Sequence, residues 1–138
     1  MGYFEALKAA GAKLLASSTF GSYQGDWFAK VVYQGRTFWV HGSYGSCSYC
    51  DAFQSEFDYA AGDTCDEHKY EGDSPESKAC EACKAAPATY QAKLAAFGLG
   101  YLTSGDMTQA EAEALASRNL EWDEDATEML TFVQANAI

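Results

Sequence analysis

Between residues 47 and 83 every cysteine of this chain falls into a pair with a two-residue gap: Cys47-Ser-Tyr-Cys50, Cys65-Asp-Glu-His68 and Cys80-Glu-Ala-Cys83, the middle pair completed by a histidine. That gap lets two soft side chains converge on one ion without backbone strain, from a tight turn or from successive turns of a helix. Tetrahedral zinc takes two such pairs. The pattern constrains the fold because a shared ion ties together stretches that are distant along the chain.

Three pairs offer six ligands to a site that needs four. The set closest in sequence is Cys65, His68, Cys80 and Cys83, a Cys3His site whose gap from His68 to Cys80 would close over an acidic stretch. Against it stands the set Cys47, Cys50, Cys80 and Cys83, which resembles the ligand plan of treble-clef zinc modules. A two-ion cluster using all six is a third arrangement. The first set is favoured because it ties down a loop that otherwise has no anchor, and Cys47 and Cys50 then form a separate dithiol. Disulfides are an alternative, but nothing marks the chain as exported, and cytosolic thiols stay reduced. A redox role for Cys47-Cys50 or Cys80-Cys83 would need a thioredoxin-like βαβ setting, which the sequence lacks. Buried inert cysteines are the remaining reading. Four protein ligands leave no position for water, so structural zinc is expected over catalytic zinc.

With 138 residues the chain is short enough for one domain, 1–138, divided into a helix plus β-meander over 1–50 and an acidic, mainly helical, metal-binding half over 51–138. It has no uncharged apolar run of about 18 residues, and its start, Met1-Gly2-Tyr3-Phe4-Glu5, lacks the basic and apolar regions of a signal peptide. A soluble, unsecreted protein that does not engage a membrane is expected. The net charge of -11 is unevenly spread. Residues 1–50 carry four basic side chains against two acids, and residues 51–138 carry five against eighteen. Such a field repels phosphates, which disfavours direct binding to DNA or RNA and favours a partner with a basic surface. Acidity that merely keeps the protein soluble is the plainer reading.

The periodicity predicts a short helix over Tyr3 to Ala10, closed by Gly11. From Lys13 to Tyr44, β-branched and aromatic runs alternate with Gly21, Gly25-Asp26 and Gln34-Gly35, which predicts a three-stranded antiparallel meander with a hairpin at Gln34-Gly35. Asp51 to Phe57 reads as an amphipathic helix, and Asp58 to Asp73 as an irregular acidic loop in need of a tether. Ser74-Pro75-Glu76 reads as a helix start. Pro87 is expected to interrupt that helix, with a second one resuming over Ala88 to Leu102. Thr108-Gln-Ala-Glu111 is a capping box opening a helix to about Ser117, and a last helix starts at Asp123. Strands followed by helices define an α+β fold: a small three-stranded antiparallel β-meander packed by several α-helices, with a zinc-tethered acidic loop. Helices are expected on one face of the sheet, so half of its aromatic side chains would point away from them. An exposed aromatic face would suit protein binding, and the alternative is that the N-terminal helix and loops cover it.

Other motifs carry less. His41, between Val40 and Gly42, reads as a hydrogen-bonded structural histidine, and no Gly-x-Ser-x-Gly elbow is present. Gly42-Ser-Tyr-Gly45 and Gly98-Leu-Gly100 match no phosphate loop. The acidic run Glu121-Trp-Asp-Glu-Asp125 reads as a helix N-terminus that complements the dipole, with a docking motif as the alternative.

The stretches Gly42-Ser-Tyr-Gly-Ser-Cys-Ser-Tyr-Cys-Asp-Ala-Phe53 and Asn119-Leu-Glu-Trp-Asp123 resemble small uncharacterised proteins encoded by bacteriophages and prophages. That resemblance implies an accessory protein of the infected bacterial cytoplasm, acting by protein–protein contact on a host nucleic-acid-handling or defence protein, as DNA mimics and anti-CRISPR proteins do. It implies no catalytic residue. Two further functions remain as alternatives: a metal-dependent hydrolase in which one ligand set leaves a position open for water, and a metal- or redox-handling module using a Cys-x-x-Cys dithiol.

Overall fold

Three strands, β1 (Lys13–Gly21), β2 (Gly25–Tyr33) and β3 (Arg36–Tyr44), pair antiparallel in the order β1-β2-β3. They are seen in a computed structural model that describes residues 2–46, 51–57, 65–68, 75–118, 120 and 125–138. Gln34 (φ 51°) and Gly35 (φ 76°) make the β2–β3 turn. Two successive positive φ values suit the right-handed twist of the strands, which is why glycine is favoured at the second position. Around the sheet lie α1 (Tyr3–Ala9), α2 (Ala52–Phe57), a single 3₁₀ turn at Asp66–His68, α3 (Pro75–Ala79), α4 (Glu81–Ser104), α5 (Gln109–Ser117) and α6 (Ala126–Ala135). The α+β class read from the sequence is the class observed.

Helices cover both faces of the sheet, not one. On the first face Trp27, Ala29, Val31, Phe38 and Val40 pack with Tyr3 and Leu7 of α1 and Leu102 of α4. On the second, Phe20, Phe28 and Trp39 pack with Ala112 and Ala116 of α5 and with Ala126, Met129 and Val133 of α6. The reason lies in β2 and β3, where Trp27-Phe28 and Phe38-Trp39-Val40 are apolar at successive positions. Strand side chains alternate, so such runs load both faces, and each face needs cover. The sheet leaves no aromatic face open: Trp27, Phe28 and Trp39 are all fully buried, and among the described residues Tyr23, in the β1–β2 turn, is the aromatic residue that stands in solvent. The Trp39 indole N–H donates to Gln109 Oε1 at 2.7 Å, so α5 satisfies the polar atom of the ring that it covers.

Pro87 does not interrupt its helix. α4 runs unbroken from Glu81 to Ser104 with Pro87 inside it. The proline removes one backbone donor, but Tyr90, Leu94, Phe97 and Leu102 beyond it are all held in aromatic and aliphatic clusters with α1, α2 and the sheet. Tertiary packing therefore outweighs a local cost of about 3 kcal/mol. Gly98 sits where α4 crosses α1, and a β-carbon there would overlap the Ala6 carbonyl. The capping box at Thr108 forms in both directions: Thr108 Oγ1 accepts from the Glu111 N–H at 3.2 Å, and the Thr108 N–H donates to Glu111 Oε1 at 3.3 Å. The last helix begins at Ala126. The proposed Ser74 cap, the Asp123 start, the acidic run over 121–124 and the loop 58–73 apart from 65–68 lie outside the described residues.

Asp51, buried at 4% exposure, fixes the junction between the sheet and the helical half. Its carboxylate accepts from the Tyr3 hydroxyl (2.6 Å), from the Gly45 N–H (3.0 Å), and from the Phe53 and Gln54 N–H groups at the start of α2 (2.9 and 3.1 Å). Burial pushes its acidity towards the protonated form, but these four donors outweigh burial and hold its pKa below the usual carboxylate value. Burial, then the Asp51 hydrogen bond, push the Tyr3 phenol well above its ordinary range, so Tyr3 remains a donor. A depressed carboxylate pKa contributes stability above its unfolded value, near 4, and that contribution is lost as pH falls through the folded value. Asp51→Asn should therefore cost about 2 kcal/mol at neutral pH and flatten part of the acid limb of the stability curve below pH about 4. Urea unfolding at pH 7 and pH 3 reads both effects, and equal acid sensitivity in variant and wild type would contradict them.

Candidate metal centre

Cys65 and His68 are brought to one side of the chain by the 3₁₀ turn, closed by the His68 N–H donating to the Cys65 carbonyl at 3.1 Å. Cys80 is the N-cap of α4, with extended backbone (φ -79°, ψ 124°), and Cys83 follows three residues into the first turn. The Lys84 N–H bonds the Cys80 carbonyl at 3.1 Å, which starts the helix and fixes the spacing of the pair. Two local turns, each with its own backbone hydrogen bond, thus present two ligands apiece.

The two turns meet. Cys65 Sγ lies 3.3 Å from His68 Nδ1, 3.8 Å from Cys80 Sγ and 3.4 Å from Cys83 Sγ, and Cys83 Sγ lies 3.3 Å from His68 Nδ1. All four donor atoms lie within 4.8 Å of one another. Cys83 is buried and the other three are half-buried. The Cys65 N–H points at Cys83 Sγ from 3.4 Å, a backbone donor aimed at sulfur of the sort that stabilises a thiolate. Burial disfavours ionisation of Cys65, but hydrogen bonds from Cys83, His68 and Cys80 outweigh it and bring the thiol down to about 7. Burial and the hydrogen bonds that it shares with Cys65 and Cys80 push the Cys83 thiol up to about 11. Of these two thiols Cys65 is therefore the first to ionise. The three described cysteines are free thiols, not crosslinked in pairs. Together the four residues make a group able to hold a metal ion, and it is the set favoured from spacing.

The competing pair, Cys47 and Cys50, lies outside the described residues, but its flanks are described. Gly45 and Asp51 are hydrogen-bonded to each other beside Tyr3, whose ring lies 5.9 Å from Phe97. Phe97 is fourteen residues along α4 from Cys83, about 20 Å of helical rise. α2 runs from there towards the Cys83 end, with Phe53 against Phe97 (5.5 Å) and Phe57 against Tyr90 (5.4 Å).

His41 has a role that its sequence context anticipates in kind but not in partner. Its Nε2 lies 2.7 Å from Asp26 Oδ1 on the neighbouring strand, and its ring lies 4.8 Å from that of Phe28. The β2–β3 register, with Phe28 opposite His41 and Asp26 opposite Ser43, puts the pair on the face covered by α5 and α6. Sequence reasoning misses Asp51 as an anchor. The signal that could find it is an aspartate immediately before an apolar helical stripe, an N-cap pattern.

The architecture and site thus define an α+β protein with a Cys3His donor group at the head of its longest helix. No family model, curated protein or solved structure matches the chain. Among the described residues no helix is long and apolar enough to cross a membrane.

Proposed function

We propose that Cys65, His68, Cys80 and Cys83 hold one zinc ion as a structural clasp, and that the protein acts by presenting its acidic helical half to a basic surface of a host protein. The observation that carries the reading is the spacing of the donor atoms. A tetrahedral ion bonded at about 2.3 Å to sulfur and about 2.0 Å to nitrogen has edges of about 3.8 Å between sulfurs and about 3.5 Å between sulfur and nitrogen. Four of the six separations, 3.3 to 3.8 Å, approach such a cage, and all six are within 4.8 Å. Three thiolates and an imidazole form a soft donor set suited to zinc, and four protein ligands leave no position for an attacking water. That saturation speaks against the hydrolase reading.

The clasp joins a turn at 65–68 to the start of α4 across eleven intervening residues. The exposed carboxylates of Glu67, Glu76 and Glu81 stand on the segments that carry the ligands. With the excess of acids in residues 51–138, they favour a cationic partner and association that is steered by charge. The resemblance of residues 42–53 and 119–123 to phage-encoded proteins would make that partner a nucleic-acid-handling or defence protein of the infected bacterium. Two measurements test the proposal. Elemental analysis of protein purified without added chelator should give about one zinc per chain. Partners captured from a bacterial lysate at about 50 mM salt should be released at about 500 mM, because the Debye length falls several-fold over that range. A chain that carries no zinc and takes none up refutes the clasp, and retention that is indifferent to salt refutes the electrostatic docking.

A further inference from the structure

We propose that the outer edge of β1 pairs with the same edge of a second copy of this chain, joining two three-stranded sheets into one of six strands. The two edges of the sheet differ. At β3 the edge is closed at its centre, where Trp39 exchanges both backbone hydrogen bonds with Met107 (2.9 Å each). At β1 no described backbone segment pairs with the outer side.

The direction of each backbone group in β1 follows from that bridge. Trp39 turns its N–H and C=O outward to Met107, so its partner Lys30 must turn its own groups towards β1. Lys30 stands opposite Ala16, Phe28 opposite Ser18 and Asp26 opposite Phe20. Ala16, Ser18 and Phe20 therefore bond inward, and the Tyr44 hydroxyl donating to the Phe20 carbonyl at 2.9 Å agrees with this. Ser17 and Thr19 are left with their N–H and C=O groups pointing away from the sheet. The irregularity between Leu14 and Ala16 disturbs the first part of the strand and Gly21 (φ 103°) turns its end, so the run from Ala16 to Phe20 is regular and, among the described residues, open.

Charge and side-chain size select a second copy as the occupant. In a chain of net charge -11, residues 6–25 contain no aspartate or glutamate and carry Lys8 and Lys13. Two copies can therefore approach here without the repulsion that their acidic halves impose. Ala16, Ser17, Ser18 and Thr19 are small and uncharged, so they make no pockets of the sort that a peptide-reading edge uses to choose side chains. They do permit close approach of an identical strand. A two-fold axis at Ser18 lets Ser17 and Thr19 of one copy exchange hydrogen bonds with Thr19 and Ser17 of the other.

The test is sedimentation equilibrium of the metal-replete protein in reducing buffer, from about 1 to about 500 μM. The mass should rise from one chain to two across that range. Thr19→Pro removes only an outward donor, a change that edge strands tolerate, and should keep the protein at one chain with an unchanged circular dichroism spectrum. Amide exchange gives a readout that needs no variant: the Ser17 and Thr19 amides should slow at least tenfold between the dilute and the concentrated protein. A single-chain mass at every concentration, a Thr19→Pro variant that folds and dimerises like wild type, or exchange at Ser17 and Thr19 that ignores concentration would each overturn the proposal.

Discussion

With the proposed zinc clasp in place, replacing Cys83 by serine should lower bound zinc from about one per chain to near zero and apparent affinity by at least about a hundredfold. Cys83 is the ligand to choose because it is the buried member of the group. Its sulfur lies 3.4 Å from Cys65 Sγ and 3.3 Å from His68 Nδ1, and it faces the Cys65 N–H. A serine oxygen is a poorer ligand for zinc and, with a shorter bond to Cβ, does not reach as far. The damage should stay local. The 3₁₀ turn at Asp66–His68 has one backbone bond of its own, from the His68 N–H to the Cys65 carbonyl, and the ion would be what ties it firmly to α4. The sheet and its two helical covers are packed independently of the site. Amide exchange over residues 65–84 should accelerate sharply while β2 and β3 stay protected, and a chelator should reproduce the pattern in the wild type. Full zinc occupancy in Cys83→Ser would refute the assignment of this ligand. Because thiolates and a neutral imidazole must bind the ion, acid should release it, with affinity falling steadily as pH is lowered.

The second large effect is expected at Gly98. Helix propensity alone says that Gly98→Ala stabilises α4 by about 1 kcal/mol. Packing says the reverse, because the new β-carbon would overlap the Ala6 carbonyl and approach the Leu7 nitrogen at 2.9 Å. The obstacle is backbone, so no side chain can rotate aside, and α1 must lift from α4. α1 contributes Tyr3, Ala6 and Leu7, all at 1% exposure or less, and Tyr3 in turn holds Asp51 at 2.6 Å. Lifting the helix therefore loosens the core and the junction to α2 together. Gly98→Val should cost about 3–5 kcal/mol, a large share of the total stability of a small domain, and Gly98→Ala about 2 kcal/mol. Urea midpoints read the change directly. A neutral or stabilising Gly98→Ala would mean that the helices do not cross as closely as described.

Much of this molecule is legible in its residues alone. The three strands follow from β-branched and aromatic runs punctuated by glycine, and the hairpin at Gln34-Gly35 from the need for positive φ. The Thr108 capping box and the start of α3 at Pro75 are local chemistry, decided within four residues. Pro87 misleads because its local penalty is set against an interaction that the sequence does not display. Tyr90, Leu94, Phe97 and Leu102 find their partners on α1, α2 and the sheet, far away along the chain. The second helical cover escapes a reading of the sequence for a related reason. One-sided cover is common for a small antiparallel sheet, and the doubly apolar strands that demand two covers pass for a surplus of aromatic residues.

By itself the sequence determined which residues are competent to bind a metal, because ligand type and a two-residue gap are local properties, and it determined the elements whose signals are local. It also determined the charge asymmetry, which no folding can alter. The tertiary structure alone decided that Cys65 and His68 close on Cys80 and Cys83. It alone decided that Gly98 must lack a side chain and that Asp26 would answer His41. The physical reason is the same in each case: spacing fixes what neighbours in sequence can do, whereas a meeting between distant segments is set by the summed burial of every helix and strand that carries them.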